Sequence, residues 1–231
     1  MDKYTYIDFF IIIHIIKTPN FPSMSFLNRI EDEITKIQSE FYSSQPRQFF
    51  LKKSQKNECA DFVTSQLCLD ELIQNTIYVI PNTKSIYMDY PVFKCYATAA
   101  NYEKIVSYIL QLIDQLISHH NEFDIHVNLS TFTLTAAERY SQMLQLFCET
   151  ICKRTNTNFK YTDYMRRMHI YNTPNTIHLI TPILSKFTND SISDKIAYFS
   201  KEQSVDTLQR IQEFGRDVSS SSSSSSSNKT V

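Results

Sequence analysis

The chain has 231 residues, a formal net charge of −1 and 20% charged residues. That length holds one sizeable core with room for a small accessory lobe, and that charge balance argues against a broad electrostatic footprint for nucleic acid. Its sole glycine is Gly215, which excludes P-loops, dinucleotide fingerprints, nucleophile elbows and kinase phosphate loops in their usual forms, because each needs glycine for positive φ or close backbone approach.

The N-terminal stretch, residues 1–23, carries an apolar run from Ile7 to Ile16, broken by Asp8 and His14. A membrane-spanning helix needs about 20 apolar residues. The run also lacks the basic flank and small-residue cleavage site of a signal peptide. It reads first as an extra strand or a flap on the body, second as an extension ahead of a true start at Met24, and third as an anchor.

Residues 25–42 place Phe26, Ile30, Ile34, Ile37 and Phe41 at helical spacing, with Glu and Lys between them. Pro46 closes that region. Residues 58–74 predict a second helix, with Phe62, Val63, Leu67, Leu69, Leu72 and Ile73 inward. Residues 24–75 are therefore expected to form a short helical lobe. Ile77–Ile80 and Ser85–Met88 read as strands around a Pro81-Asn82 turn, and Val92–Ala97 as a further strand. Asn101–Ser118 predicts a helix, Phe123–Leu129 a strand, Ala136–Lys153 a helix and Ser204–Phe214 a last helix. The serine run from Ser219 to Ser227 opens a tail, 219–231, expected to be disordered because it has no apolar area to bury.

The most informative stretch is 161–200. An apolar run, Met168–Tyr171, ends at Asn172-Thr173-Pro174. An apolar segment follows from Ile177 to Phe187, and a second run spans Ile196–Phe199. Strand, turn, helix, strand implies a parallel pair with a crossover helix. Strands alternating with helices along 76–218 give the fold class: α/β, a mainly parallel sheet flanked by helices and preceded by the helical lobe.

The helix after Pro174 has too many apolar positions for one narrow stripe: Ile177, Leu179, Ile180, Ile183, Leu184 and Phe187. It is either buried on two sides or a lid whose apolar face alternates between a cavity and a membrane surface. Pro182 breaks or hinges it.

Segment 161–199 resembles the lipid-binding domain of Sec14-like proteins, the CRAL-TRIO domain. The resemblance rests on Tyr161, Asp163, Met165 and Arg167, then Ile170-Tyr171-Asn172-Thr173-Pro174, then Lys195-Ile196, with matched spacing from Pro174 to Lys195. More weakly, it extends over about residues 76–214. It implies an apolar cavity for acyl chains, gated by helix 177–187. The implied cavity and gate residues are Phe123, Ile125, Ile177, Ile180, Ile183, Leu184 and Phe187. Lys195 stands where phosphatidylinositol-binding members have a lysine on the inositol phosphate, and Asp163 where they have a glutamate on the inositol hydroxyls. Ile192 replaces a threonine there. Phe123 and Ile125 replace the serine and threonine of phosphatidylcholine-binding members, which makes this wall greasier. Asn128 stands for an aspartate, Ser130-Thr131 for a pair ending in glycine, and the family's closing Gly-Gly segment is absent. The domain is thus a divergent one.

The implied activity is non-catalytic binding or transfer of a phosphatidylinositol-like phospholipid or other hydrophobic small molecule, with no cofactor. The alternative is an interaction module for a protein partner, with the cavity filled by its own side chains. A hydrolase with a non-standard site is a third class. Five scattered cysteines without a Cys-x-x-Cys pair fit buried thiols in a reducing compartment, here the cytoplasm. Arg166-Arg167 with Lys153-Arg154 offers a basic patch for a peripheral membrane surface, though a solvated face is the ordinary reading. His126 and His169 fall on predicted strands and could be near each other, but no helix carries the i, i+4 pair of a zinc protease, and no metal is expected.

Overall fold

The computed structural model describes residues 24–44, 52–152, 160–185 and 190–221. The expectations for residues 1–23, and for the serine run beyond residue 221, lie outside the described residues. Among the described residues, three helices come first: α1 (Met24–Ser44), α2 (Lys52–Gln66) and α3 (Leu69–Thr76). A hairpin follows, β1 (Ile77–Val79) and β2 (Ser85–Asp89). Then come α4 (Tyr90–Phe93), α5 (Tyr102–His120), β3 (Phe123–Asn128), α6 (Leu134–Arg139) and α7 (Ser141–Cys152). The remainder is α8 (Tyr161–Tyr164), β4 (Met165–Tyr171), α9 (Ile177–Leu184), α10 (Asp190–Ser193), β5 (Ile196–Tyr198) and α11 (Lys201–Ser221).

The five strands lie in the sheet in chain order. β1 pairs antiparallel with β2, and the other three pairings are parallel. Such a sheet is wound in one direction only. Right-handed crossovers then bring every connecting helix to the same face. That face holds the main core, with Ile86, Phe123 and Met165 from strands and Ile105 and Ile113 from α5, all at 1% exposure or less. Ile30 and Ile34 of α1 and Val63 of α2 belong to the same cluster.

The opposite face is left to α11, whose Ile211 and Leu208 pack with Ile80, Tyr87 and Tyr171. This face is aromatic and polar. His126 and His169, a register pair across β3 and β4, stack with ring centroids 4.6 Å apart. Tyr171 and Phe199 continue the stack at 5.2 Å. His126 Nδ1 lies 2.9 Å from the Tyr171 hydroxyl. Burial, then the neighbouring His169, lowers its pKa to about 4. Among the described residues, no group of three or more His, Cys, Asp or Glu side chains could hold a metal ion.

Three predicted elements need correction. The 58–74 helix is two helices, α2 and α3, separated at Leu67-Cys68; Asp70 and Glu71 in the first turn of α3 mark the restart. The 136–153 helix is likewise α6 and α7, broken at Tyr140, whose ring is held by Phe93 and Tyr90 at 5.1 and 6.0 Å. Val92–Ala97 is not a strand but the end of α4 and a turn. Pro91 sits in the first turn of α4, where its missing N–H costs nothing. The run is apolar because Val92, Phe93, Tyr96 and Ala97 are buried from several sides, and a short apolar run does not separate a strand from a buried helix.

The scarcity of glycine has a visible solution. Among the described residues, four that are not glycine take positive φ: Asn82 (58°), Asn121 (58°), Thr131 (65°) and Asn172 (52°). Asn is the side chain that best tolerates the left-handed region. Asn82 serves the β1–β2 turn behind Pro81, and Asn121 closes α5 through its N–H on the Ile117 carbonyl. Thr131 is β-branched and stands out.

Asp124 is 2% exposed, and Arg166 grips it with both Nε, at 3.0 Å, and a terminal guanidinium nitrogen. Replacing Arg166 by Ala strands a buried carboxylate and is expected to destabilise the fold by about 1–3 kcal/mol, below the cost of a fully buried pair because Arg166 is half exposed. In urea unfolding, adding Asp124→Asn to that variant should recover most of the loss.

Candidate functional site

Between the crossover face of the sheet and the helices lies an apolar cavity of about 350 Å³. Its floor is made by alternate residues of the strands: Ile77, Ile86 and Met88, Ile125 and Val127, Met168 and Ile170, Ile196 and Tyr198. The period of two along each strand puts these on one face. The far wall is α7, through Met143, Leu144, Phe147, Cys148 and Ile151. Tyr90, Phe93, Phe132 and Tyr140 close one end. α9 covers part of the opening with Ile177, Thr181 and Ser185, and Ile192 of α10 adds to the rim.

The position of α9 is fixed at its entry. Asn172 ends β4 in the left-handed region, its N–H donating to Ser204 Oγ at 2.8 Å and its Nδ2 to Asn128 Oδ1 at 2.8 Å. Asn128 Nδ2 in turn donates to Asp89 Oδ1 at 2.7 Å. A chain of amides and a carboxylate thus ties the ends of β2, β3 and β4 to the corner from which α9 starts. Ser204 stands on α11, whose start is capped reciprocally. The Ser200 N–H donates to Gln203 Oε1 at 2.9 Å, and the Gln203 N–H donates to Ser200 Oγ at 3.4 Å. Burial, followed by repulsion from Glu31, raises the Asp89 carboxyl to about 6, against the pull of its bond from Asn128.

The expected cavity residues divide. Ile125 and Ile177 line the cavity. Phe123 is 1% exposed in the core but does not line it. Ile180 is wholly buried yet also absent from the lining, because the side of α9 facing the cavity runs through 177, 181 and 185. Phe187, and the side chains of Ile183 and Leu184, lie outside the described residues. Leu179 is 49% exposed, so at least that part of the apolar excess in α9 faces outward.

Lys195 and Asp163 come close in the fold without meeting in an ion pair. Lys195 Nζ donates to the Thr162 carbonyl at 2.6 Å, and Asp163, the next residue, is exposed. Both precede their strands, at the amino-end edge of β4 and β5. Of the expected basic patch, Arg166 is committed to Asp124 and Arg167 is exposed, while Lys153 and Arg154 lie outside the described residues. Cys148 is a buried wall residue and Cys152 its half-buried neighbour.

The chain is similar to the crystal structure of Sfh5. The TM-score is 0.45 and the identity 14%, over 74% of this chain and 65% of that one. The chain thus spans about 65% of the length of Sfh5. No family model matches the sequence, and no curated protein does. Among the described residues, no helix is long and apolar enough to cross a membrane.

The Asp89 carboxyl titrates higher folded than its ordinary value of 3.8. Its contribution is therefore most favourable below pH 3.8 and is lost as pH rises through about 6. Asp89→Asn keeps an acceptor for Asn128 and removes the charge. It should raise stability at pH 8 by about 1–3 kcal/mol and have little effect at pH 4, as thermal unfolding at the two pH values would read.

Proposed function

We propose that the protein binds a hydrophobic ligand, one acyl chain or a molecule of similar girth, in the cavity between the sheet and α7, without catalysing a reaction on it. The observation that carries this reading is the cavity itself: about 350 Å³ of space walled almost wholly by aliphatic and aromatic side chains. Polar groups at its wall are few. Thr181 Oγ1 is turned to the Ile177 carbonyl and Ser185 Oγ to the Pro182 carbonyl, so these hydroxyls are already satisfied. A wall without convergent titratable groups holds a ligand but does not activate one. Each buried methylene contributes about 0.8 kcal/mol.

The volume falls at the lower end of the about 300–1,000 Å³ usual for ligand pockets. A two-chain phospholipid needs more room, which swinging α9 outward about the Asn172 corner would supply. A phosphatidylinositol-like ligand fits the placing of Lys195, which stands between Ile192 and Ile196, both on the cavity wall. Its ammonium would exchange the Thr162 carbonyl for a headgroup phosphate, with Asp163 close enough to accept from headgroup hydroxyls. The sequence resemblance of residues 161–199 to Sec14-like domains supports the same assignment. Exposed Leu179 would meet the membrane surface during loading.

A fluorescent fatty acid should bind the purified protein, and native mass spectrometry of protein expressed in cells should show co-purified lipid. Leu144→Trp fills the cavity from α7 and should weaken fatty-acid binding at least tenfold with thermal stability retained. Unchanged binding in that variant, or a clean apo mass with no uptake from vesicles, would overturn the assignment. Lys195→Ala should leave fatty-acid binding intact and lower the recovery of inositol lipid. Equal recovery would remove the headgroup role while leaving the cavity.

A further inference from the structure

A second cavity, of about 420 Å³, lies at the carboxyl end of β2 and β3, between the N-terminal helices and the chain leaving β3. Its wall is unlike the first. Three cations line it: Lys56 of α2, Lys94 after α4 and Arg139 at the end of α6. Three hydroxyls join them, Thr131, Thr133 and Thr135. Among the described residues no carboxylate lines it, and none of the three cations makes an ion pair with Asp or Glu. Asp89 is near enough to Lys94 to feel its charge but is not part of the wall.

The parts are held in place. Arg139 Nε donates to Asn57 Oδ1 at 2.9 Å and a terminal nitrogen donates to the Lys56 carbonyl at 3.3 Å. Those bonds moor α6 to α2 and leave further guanidinium N–H donors. Lys94 Nζ donates to Thr131 Oγ1 at 2.8 Å. Thr131 is the β-branched residue at φ 65°, a strained conformation that calls for a reason. Three cations drawn to one hollow without an ion pair among the described residues repel one another, and an arriving anion relieves that repulsion. Parallel sheets ordinarily hold ligands beyond the carboxyl ends of their strands, where this cavity lies.

We propose that this cavity is a binding site for a phosphate group, carried either by a soluble phosphorylated molecule or by a lipid headgroup. Lys94 and Lys56 supply point charges, Arg139 planar N–H donors, and the threonines hydroxyl donors to the phosphate oxygens. The site stands apart from the apolar cavity, sharing among the described residues the Tyr90 ring as a wall, and does not depend on that cavity being occupied.

The test is calorimetric titration of the full chain with inorganic pyrophosphate at low ionic strength. Saturable one-to-one binding is expected, weakened at least tenfold by Lys94→Met and by Lys56→Met, and unchanged by Lys104→Met, whose ammonium pairs with Asp70 away from the site. Thr131→Gly should relieve the backbone and raise the melting temperature while weakening pyrophosphate. Dihexanoyl phosphatidate below its micellar concentration separates the sources. A headgroup site binds it more tightly than pyrophosphate, with an affinity lowered by both Lys94→Met and Leu144→Trp. A site for soluble phosphates prefers pyrophosphate and ignores Leu144→Trp. No binding of either probe, or binding that Lys94→Met and Lys56→Met leave unaltered, would overturn the proposal. Loss of fatty-acid binding with pyrophosphate binding intact would refute only the function assigned to the apolar cavity.

Discussion

The direction in which the sheet is wound governs everything else in this molecule. With strands in chain order, every crossover falls on one side, and helices crowd that face. They are packed well near α5, where Ile105 and Ile113 are fully buried. They stand off the sheet between α7 and α9, and the apolar cavity is what remains there. Among the described residues the other face receives α11, which covers part of it. A partly covered face cannot be purely aliphatic without exposing a large apolar patch. Here it is built from Tyr, His and Phe rings stacked along β3, β4 and the end of β5.

The strand order also decides where polar groups collect. Parallel strands end together, and their last residues must find partners for backbone and side chain alike. Asp89, Asn128 and Asn172 solve this jointly, one from each of three neighbouring strand ends. The same edge sends out the chain toward α4 and α6, carrying Lys94 and Thr131. The two cavities are thus consequences of one layout, an apolar one over the sheet face and a cationic one beyond its edge, with Tyr90 between them.

Much of this was legible in the residues. The strand, corner, helix, strand order of 161–200, and the alternation of strands with helices upstream of it, pointed to the α/β layer. What escaped were events that tertiary packing decides. The break at Tyr140 follows from an aromatic cluster assembled from 90, 93, 102 and 140, distant in sequence. Val92–Ala97 looked like a strand because burial from several sides erases periodicity. The orientation of α9 could not be read either: a helix apolar on two sides does not say which side faces the hollow, and the structure turns Ile177, Thr181 and Ser185 to it. The cationic cavity had no local signature, since Lys56, Lys94 and Arg139 are scattered along the chain. One sign was nevertheless present. Thr131 falls where Sec14-like domains carry glycine, and the structure gives it the backbone angle that glycine would hold freely. The Ser-x-x-Gln start of α11 at Ser200 was another readable signal, of helix capping.

The two outer strands, β1 and β5, are three residues long. Each offers a stranger's backbone only a brief run of unpaired amides and carbonyls. A chain this rich in isoleucine and tyrosine, passing through partly folded states in a crowded cell, would otherwise be open to ribbon-like stacking of one copy on the next. Brevity at both borders limits that pairing, and it leaves the interior strands free to carry the aliphatic side chains that wall the apolar cavity.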